Sequence, residues 1–173
     1  MNFFVIGLPR SRTAWLANFL TCDRLCYHEG LDGCYSIGDY QKKLGENNGD
    51  SSTGLMLLEM NTLFPDSPKL IIESDLYKAI DYGYKTYGFY DPKYFEFLQK
   101  RMDSIKGLRI AFDDIDDNLE TIWNYLIGTP FNQKRADILK KMRIEIKDPF
   151  DLDREAMTVL FNNEITKVWN FAS

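Results

Sequence analysis

The stretch Phe3-Phe4-Val5-Ile6-Gly7-Leu8-Pro9-Arg10-Ser11-Arg12-Thr13-Ala14-Trp15-Leu16 decides how this chain is read. Phe3 to Ile6 is an apolar, aromatic and β-branched run, the composition of a strand buried on both faces, and it stops at Gly7. Beyond it Trp15, Leu16, Phe19 and Leu20 recur at helical spacing over residues 13–20, with Ser11 or Thr13 available as the cap. A strand feeding a helix through a tight loop turns backbone N–H groups and the positive helix end toward one point, which is an anion site. Arg10 and Arg12 add charge-assisted donors suited to phosphate or sulfate oxygens, and Ser11 and Thr13 add hydroxyls. The bland alternative is a capped helix whose arginines reach only solvent or carboxylates.

Outward from this unit the alternation of strand and helix continues. Residues 25–28 read as a second strand and 36–44 as a helix, with Ser36 as cap and Gly45 as terminator. Residues 45–54, rich in Gly, Asn, Asp and Ser, read as a surface loop. A helix over 55–64 stops at Pro65, and 69–73 reads as a third strand. Helices over 76–84 and 92–105 follow, the second opened by Pro92, and then a fourth strand over 108–112. After an acidic turn come helices over 119–126 and 132–142, a short last strand over 143–146 and a helix near 153–161. There is no repeat and no low-complexity linker, so the expectation is one domain over residues 1–173, a three-layer α/β fold with a mainly parallel central sheet flanked by helices.

Charge and composition narrow the function. A net charge of −5 argues against a surface that grips duplex nucleic acid, and leaves room for a local basic pocket. The longest apolar run, residues 3–8, is far short of the roughly 18–20 residues of a membrane span. Arg10 and Arg12 follow that run instead of preceding it, which is the wrong order for a secretory signal; a cytoplasmic protein is expected. Cys22, Cys26 and Cys34 are an odd number and are expected to be reduced. Together with His28 they have the donor atoms for zinc, at a spacing that matches no standard site, so no metal is expected.

The loop is not the ATPase version. In G-x-x-x-x-G-K-[ST] counted from Gly7, the places of Gly, Lys and Ser/Thr fall on Arg12, Thr13 and Ala14, so the phosphate lysine and the Mg²⁺ hydroxyl are both missing. That disfavours a Mg²⁺-dependent kinase or hydrolase, even though Asp113 and Asp114 stand at a strand end where such a metal would be held.

The run Phe4 to Leu16 resembles the 5′-phosphosulfate loop of sulfotransferases, approximately G-x-P-[KR]-S-G-[ST]-x-[WL]-L, and is most similar to the short sulfotransferase-like proteins of bacteria and their phages. A second likeness lies in Ile110-Ala111-Phe112-Asp113-Asp114-Ile115 and the following Leu119 to Gly128, similar to the family's acidic turn and helix ending F-L-G. The resemblance covers about residues 2–128. It implies a P-loop fold and a metal-independent transferase that moves a sulfuryl group from 3′-phosphoadenosine 5′-phosphosulfate to a small-molecule or peptide hydroxyl. It also implies that Gly7, Pro9, Arg10, Ser11, Arg12 and Thr13 hold the phosphosulfate, with Arg10 at the leaving-group oxygen. Arg12 stands where the general pattern has Gly, and its side chain either binds the ligand or narrows the cradle.

Sulfuryl transfer needs a base for the acceptor proton and donors for the charge that builds on the bridging oxygen. The base candidates are His28, the single histidine, and Glu29, at the end of the second strand where a parallel sheet places ligand-facing residues. The alternative for His28 is a satisfied structural hydrogen bond. Sulfotransferases commonly set an Arg, and then a Ser, after the third strand on the 3′-phosphate; here the chain reads Glu73-Ser74-Asp75-Leu76-Tyr77-Lys78. Two carboxylates would repel a phosphate, and Lys78 is the available cation. Residues 48–54 either line a ligand pocket or form a turn with Ser52 or Thr53 as helix cap, and Arg135 either reaches the anion site or is solvated. The aromatic residues Tyr82, Tyr84, Tyr87, Phe89, Tyr90, Tyr94, Phe95 and Phe97 form either core or an acceptor surface. The competing function is a non-catalytic nucleotide- or phosphate-binding module on the same fold.

Overall fold

β1 (Phe3–Gly7), every residue of it buried, is the middle strand of a five-stranded, all-parallel sheet in the order β2-β3-β1-β4-β5. The computed structural model describes residues 1–87 and 91–142. Along the chain α1 (Thr13–Leu20), β2 (Cys26–His28), α2 (Ile37–Leu44) and β3 (Gly49–Ser51) follow β1. Next are α3 (Met60–Leu63), β4 (Lys69–Glu73), α4 (Leu76–Tyr87), α5 (Pro92–Ser104), β5 (Leu108–Ala111), α6 (Leu119–Leu126) and α7 (Gln133–Lys140). The expected strand over 143–146, the helix near 153–161, and Phe89 and Tyr90 lie outside the described residues.

Alternation along the strands makes two cores. Phe3 and Val5 of β1, with Leu70 and Ile72 of β4, face Trp15, Leu16, Phe19 and Leu20 of α1 and Leu119, Ile122, Trp123 and Leu126 of α6. Phe4 and Ile6, with Ile71, face Tyr40 and Leu44 of α2, Ala79 and Ile80 of α4, and Phe95, Leu98 and Met102 of α5. A sheet covered by helices on both faces is the three-layer α/β arrangement expected from the strand and helix alternation. Phe95 is core, and Tyr94 and Phe97 pack against it, whereas Tyr84 is exposed.

Several elements begin and end as their residues dictate. Ser36 Oγ accepts from Asp39 N at 3.1 Å at the start of α2, and Gly45 ends that helix with φ 63°. Asp91 caps α5, with Pro92 in its first turn.

Three expectations are corrected. Residues 45–54 are not simply a surface loop: Gly49–Ser51 is a fully buried strand, paired with β2 on one side and β1 on the other. The helix over 55–64 is instead a 3-10 turn, Gly54–Leu57, followed by the single turn of α3, with Leu58 extended between them. Arg101 binds the carbonyls of Met56 and Leu58, meeting acceptors that a continuous helix would have used. The cap of α1 is neither Ser11 nor Thr13 but Arg12, in the left-handed region, with no side-chain hydrogen bond to the first turn.

Candidate functional site

The order of strands determines where a ligand fits. From β1 the chain crosses to the outer strand β2, and every later connection runs the other way across the sheet, β2 to β3 to β4 to β5. Right-handed crossovers therefore put α1 on one face and α2 to α5 on the other, and the connections diverge at the carboxyl end of β1, where an open parallel sheet has its crevice. The loop 7–13 lies there.

Leu8, Pro9, Arg10 and Ser11 form a turn closed by Ser11 N–H to Leu8 O at 3.1 Å. Pro9 occupies the second position and Arg10, at φ 73°, the third, the geometry of a type II turn in which Gly is the usual third residue. Arg12 is also left-handed, at φ 58°. Ser11 is fully buried and folds back over Gly7, where a Cβ would come within 2.7 Å of the Ser11 Cβ; only glycine fits. The Ser11 hydroxyl shares a 2.9 Å hydrogen bond with Ser74 at the end of β4. The guanidinium of Arg10 lies 4.3 Å from the centre of the Tyr82 ring. That of Arg12 stacks on Trp15 at 4.4 Å and donates to Asp116 at 2.9 Å.

At the carboxyl end of β4, each of the two carboxylates has a partner. Glu73 pairs with Arg109 of β5 at 3.0 Å. Asp75 accepts from the N–H groups of Tyr77 and Lys78 at 2.8 and 3.1 Å, capping α4. Lys78 is exposed on the first turn of α4. Arg135 does not approach the loop: its guanidinium donates to the carbonyls of Asn18 and Phe19, at the far end of α1.

His28 ends β2 and Glu29 follows it, one strand removed from β1. His28 Nδ1 lies 2.9 Å from the Ser51 carbonyl oxygen, and a carbonyl only accepts, so the proton of a neutral ring sits on Nδ1. Nε2 is then the basic nitrogen, 3.9 Å from Glu29 Oε1. The Ser51 hydroxyl in turn donates to Thr13 O at 2.7 Å, so the histidine is coupled through Ser51 to the first residue of α1. Burial pulls the proton affinity of His28 below the ordinary imidazole value. Glu29, at φ 53°, is pushed up to about 7 by burial first and by the charge of Asp50 second.

Asp50 is the residue that the sequence reading missed. It is fully buried on β3 and its carboxylate receives the hydroxyl of Tyr40 at 2.7 Å, the N–H of Gly30 at 3.1 Å and the hydroxyl of Ser52. Ser52 is therefore a partner of Asp50. No apolar residue marks β3, and hydrophobic pattern had nothing to register there.

Among the described residues there is no group of three His, Cys, Asp or Glu side chains placed to hold a metal ion. Asp113 and Asp114 lie exposed on a 3-10 turn after β5. Cys22 is exposed, whereas Cys26 and Cys34 are buried. Also among the described residues, no helix is long and apolar enough to cross a membrane. A depression of about 510 Å³ lined by Pro65, Lys69, Lys106 and Gly107 sits at the amino ends of β4 and β5, across the sheet from the loop 7–13. Comparison of the chain with family models, curated proteins and solved structures returns no match.

Proposed function

We propose that this chain is a sulfotransferase-like enzyme that moves a sulfuryl group from 3′-phosphoadenosine 5′-phosphosulfate to a hydroxyl acceptor. The observation that carries the reading is the loop 7–13: a strand, turn and helix at the carboxyl end of the central strand, with two arginines and a helix whose first turn has no side-chain cap. Such a donor set fits the 5′-phosphosulfate end, with Arg10, Arg12 and Thr13 as the holding groups and Ser11 shaping the turn. When bound, the nucleotide supplies the sulfuryl group, whose bond to the bridging oxygen breaks as the acceptor oxygen joins sulfur. Arg10 and the loop amides meet the negative charge left on the bridging oxygen. His28 Nε2 takes the acceptor proton, with Glu29 beside it.

A second reading is favoured by Asp75. Its carboxylate already occupies the start of α4, where the resemblance would set the 3′-phosphate, and Lys78 is the cation on the same turn. A non-catalytic module that binds a simpler phosphate through the loop accounts for this arrangement.

Titration calorimetry with adenosine 3′,5′-bisphosphate, and with ATP plus Mg²⁺ in parallel, on wild type and Arg10→Ala, separates the two. Binding of the bisphosphate alone, lost in Arg10→Ala, is the expected result. Binding of inorganic phosphate or ATP with equal strength would favour the module, and no anion binding at all would overturn both.

A further inference from the structure

We propose that Asp50 is the positioning residue of the His28 and Glu29 pair: from β3 its carboxylate clamps the turn at residues 29–30 and, when ionised, acts on Glu29 as a like charge. The assignment rests on the reading of His28 and Glu29 as the proton-accepting groups of the transfer.

The clamp is geometric. One Asp50 oxygen takes the Tyr40 hydroxyl and the other takes the Gly30 N–H and the Ser52 hydroxyl, so α2, the turn after β2 and the end of β3 meet on one carboxylate. The fit leaves no slack: a Cβ on Gly30 would stand 2.5 Å from Asp50 Oδ2. Gly30 follows Glu29, and holding its N–H fixes the left-handed residue whose carboxylate faces His28 Nε2. From the same strand, the Ser51 carbonyl orients the His28 ring. Two consecutive residues of β3 thus set both members of the pair.

The electrostatics follow from that placement. Burial, the largest effect, holds the proton affinity of Asp50 above the ordinary carboxylate value, and the hydrogen bonds from Ser52, Tyr40 and Gly30 offset part of that rise. Glu29, largely buried and within reach of the Asp50 charge, keeps its proton up to about 7. The titratable groups around the pair are Asp50 from β3 and Asp32 from the turn after β2; the N–H of Thr53 bonds Glu29 and works in the opposite direction. Tyr40 of α2, Cys26 of β2 and Cys34 all feel the Asp50 charge and are pushed further from ionising, while Lys43 of α2 acts on Cys34 in the other sense.

His28 is the single histidine, so its ring Cε1–H resonance reports on this site without ambiguity. In ¹³C-labelled full-length protein a pH titration is expected to show two inflections: that of His28 below the ordinary imidazole range, and one near 7 from Glu29. Glu29→Gln removes the upper inflection. Asp50→Asn lowers it by about one pH unit or more, because a like charge beside the carboxyl has gone, while circular dichroism reports a retained fold. An upper inflection that stays in place in folded Asp50→Asn would overturn the proposal. Should Asp50→Asn fail to fold, the wild-type and Glu29→Gln titrations still expose the proposal to refutation, since a Glu29 that titrates in the ordinary carboxylate range overturns it. Calorimetry with adenosine 3′,5′-bisphosphate on the same wild-type sample tests the transferase reading separately. Absence of binding with both inflections present would defeat that reading and support only the hold of Asp50 on the pair.

Discussion

Two arginines, Arg10 and Arg12, stand in the left-handed region, at a cost of about 1–2 kcal/mol each for a residue with a Cβ. Both lie in the loop 7–13, and strain of this kind concentrates where a side chain is needed for function. Replacing Arg10 by Gly or by Ala separates the two contributions. In urea denaturation Arg10→Gly is expected to be more stable than Arg10→Ala by about 1 kcal/mol, while both lose bisphosphate binding alike in calorimetry. Glu29 makes a pH prediction. Its proton affinity is raised in the folded state, from 4.5 to about 7, so the native protein binds more protons than the unfolded chain between those values. Stability is then full below about pH 4.5, falls as pH rises through about 7, and levels off above, by at most about 3 kcal/mol. Glu29→Gln is expected to flatten that slope in urea titrations run from pH 5 to 8. At this scale the sequence placed His28 and Glu29 at the carboxyl end of the second strand, where the structure has them, since such a pair after a short apolar run is visible without a fold.

At the scale of elements, the helix ends decide what charge each can accept. The start of α1 has no side-chain cap, whereas that of α4 is occupied by Asp75. Asn caps a helix about as well as Asp and has no charge. Asp75→Asn is therefore expected to leave the melting temperature within a degree or two of wild type, roughly 0.5 kcal/mol, and to raise bisphosphate affinity several-fold by calorimetry. An unchanged affinity would place the 3′-phosphate away from α4. Arg135 shows the opposite kind of helix end: its guanidinium serves the carbonyls at the end of α1, where a cation complements the helix dipole. The basic face of α7 was legible in the sequence, but its target was not, because residues 18 and 135 meet only through packing. The polar strand β3 was illegible for a related reason. Gly49, Asp50 and Ser51 have the composition of a loop, and what makes them a strand is a gap between β2 and β1 lined with partners for each polar group.

Across the whole molecule, the sheet divides the interior into two cores that share only the backbone of the strands. Ile71 of β4 belongs to one and Ile122 of α6 to the other. Ile71→Val and Ile122→Val are each expected to cost about 0.5–1.5 kcal/mol in urea denaturation. Their double mutant is expected to equal the sum within about 0.5 kcal/mol. A larger coupling would mean that the sheet transmits repacking from one face to the other. The reversal of strand order at β1 is also a property of this scale: it brings the ends of β1, β3 and β4 to one crevice, with Ser11 against Ser74 and Ser51 against Thr13.

The sequence by itself determined the class of fold, the central strand and the loop that follows it, because apolar periodicity and a Pro and Arg turn are local properties with local causes. It also determined most helix boundaries, where Ser36, Gly45 and Pro92 act on their own neighbours. The tertiary structure alone decided the place of β3, the burial of Asp50, and the use of Asp75 as the cap of α4. Each of these depends on which distant group supplies the second half of a hydrogen bond, and that partner is chosen by the order of strands in the sheet, not by any spacing along the chain.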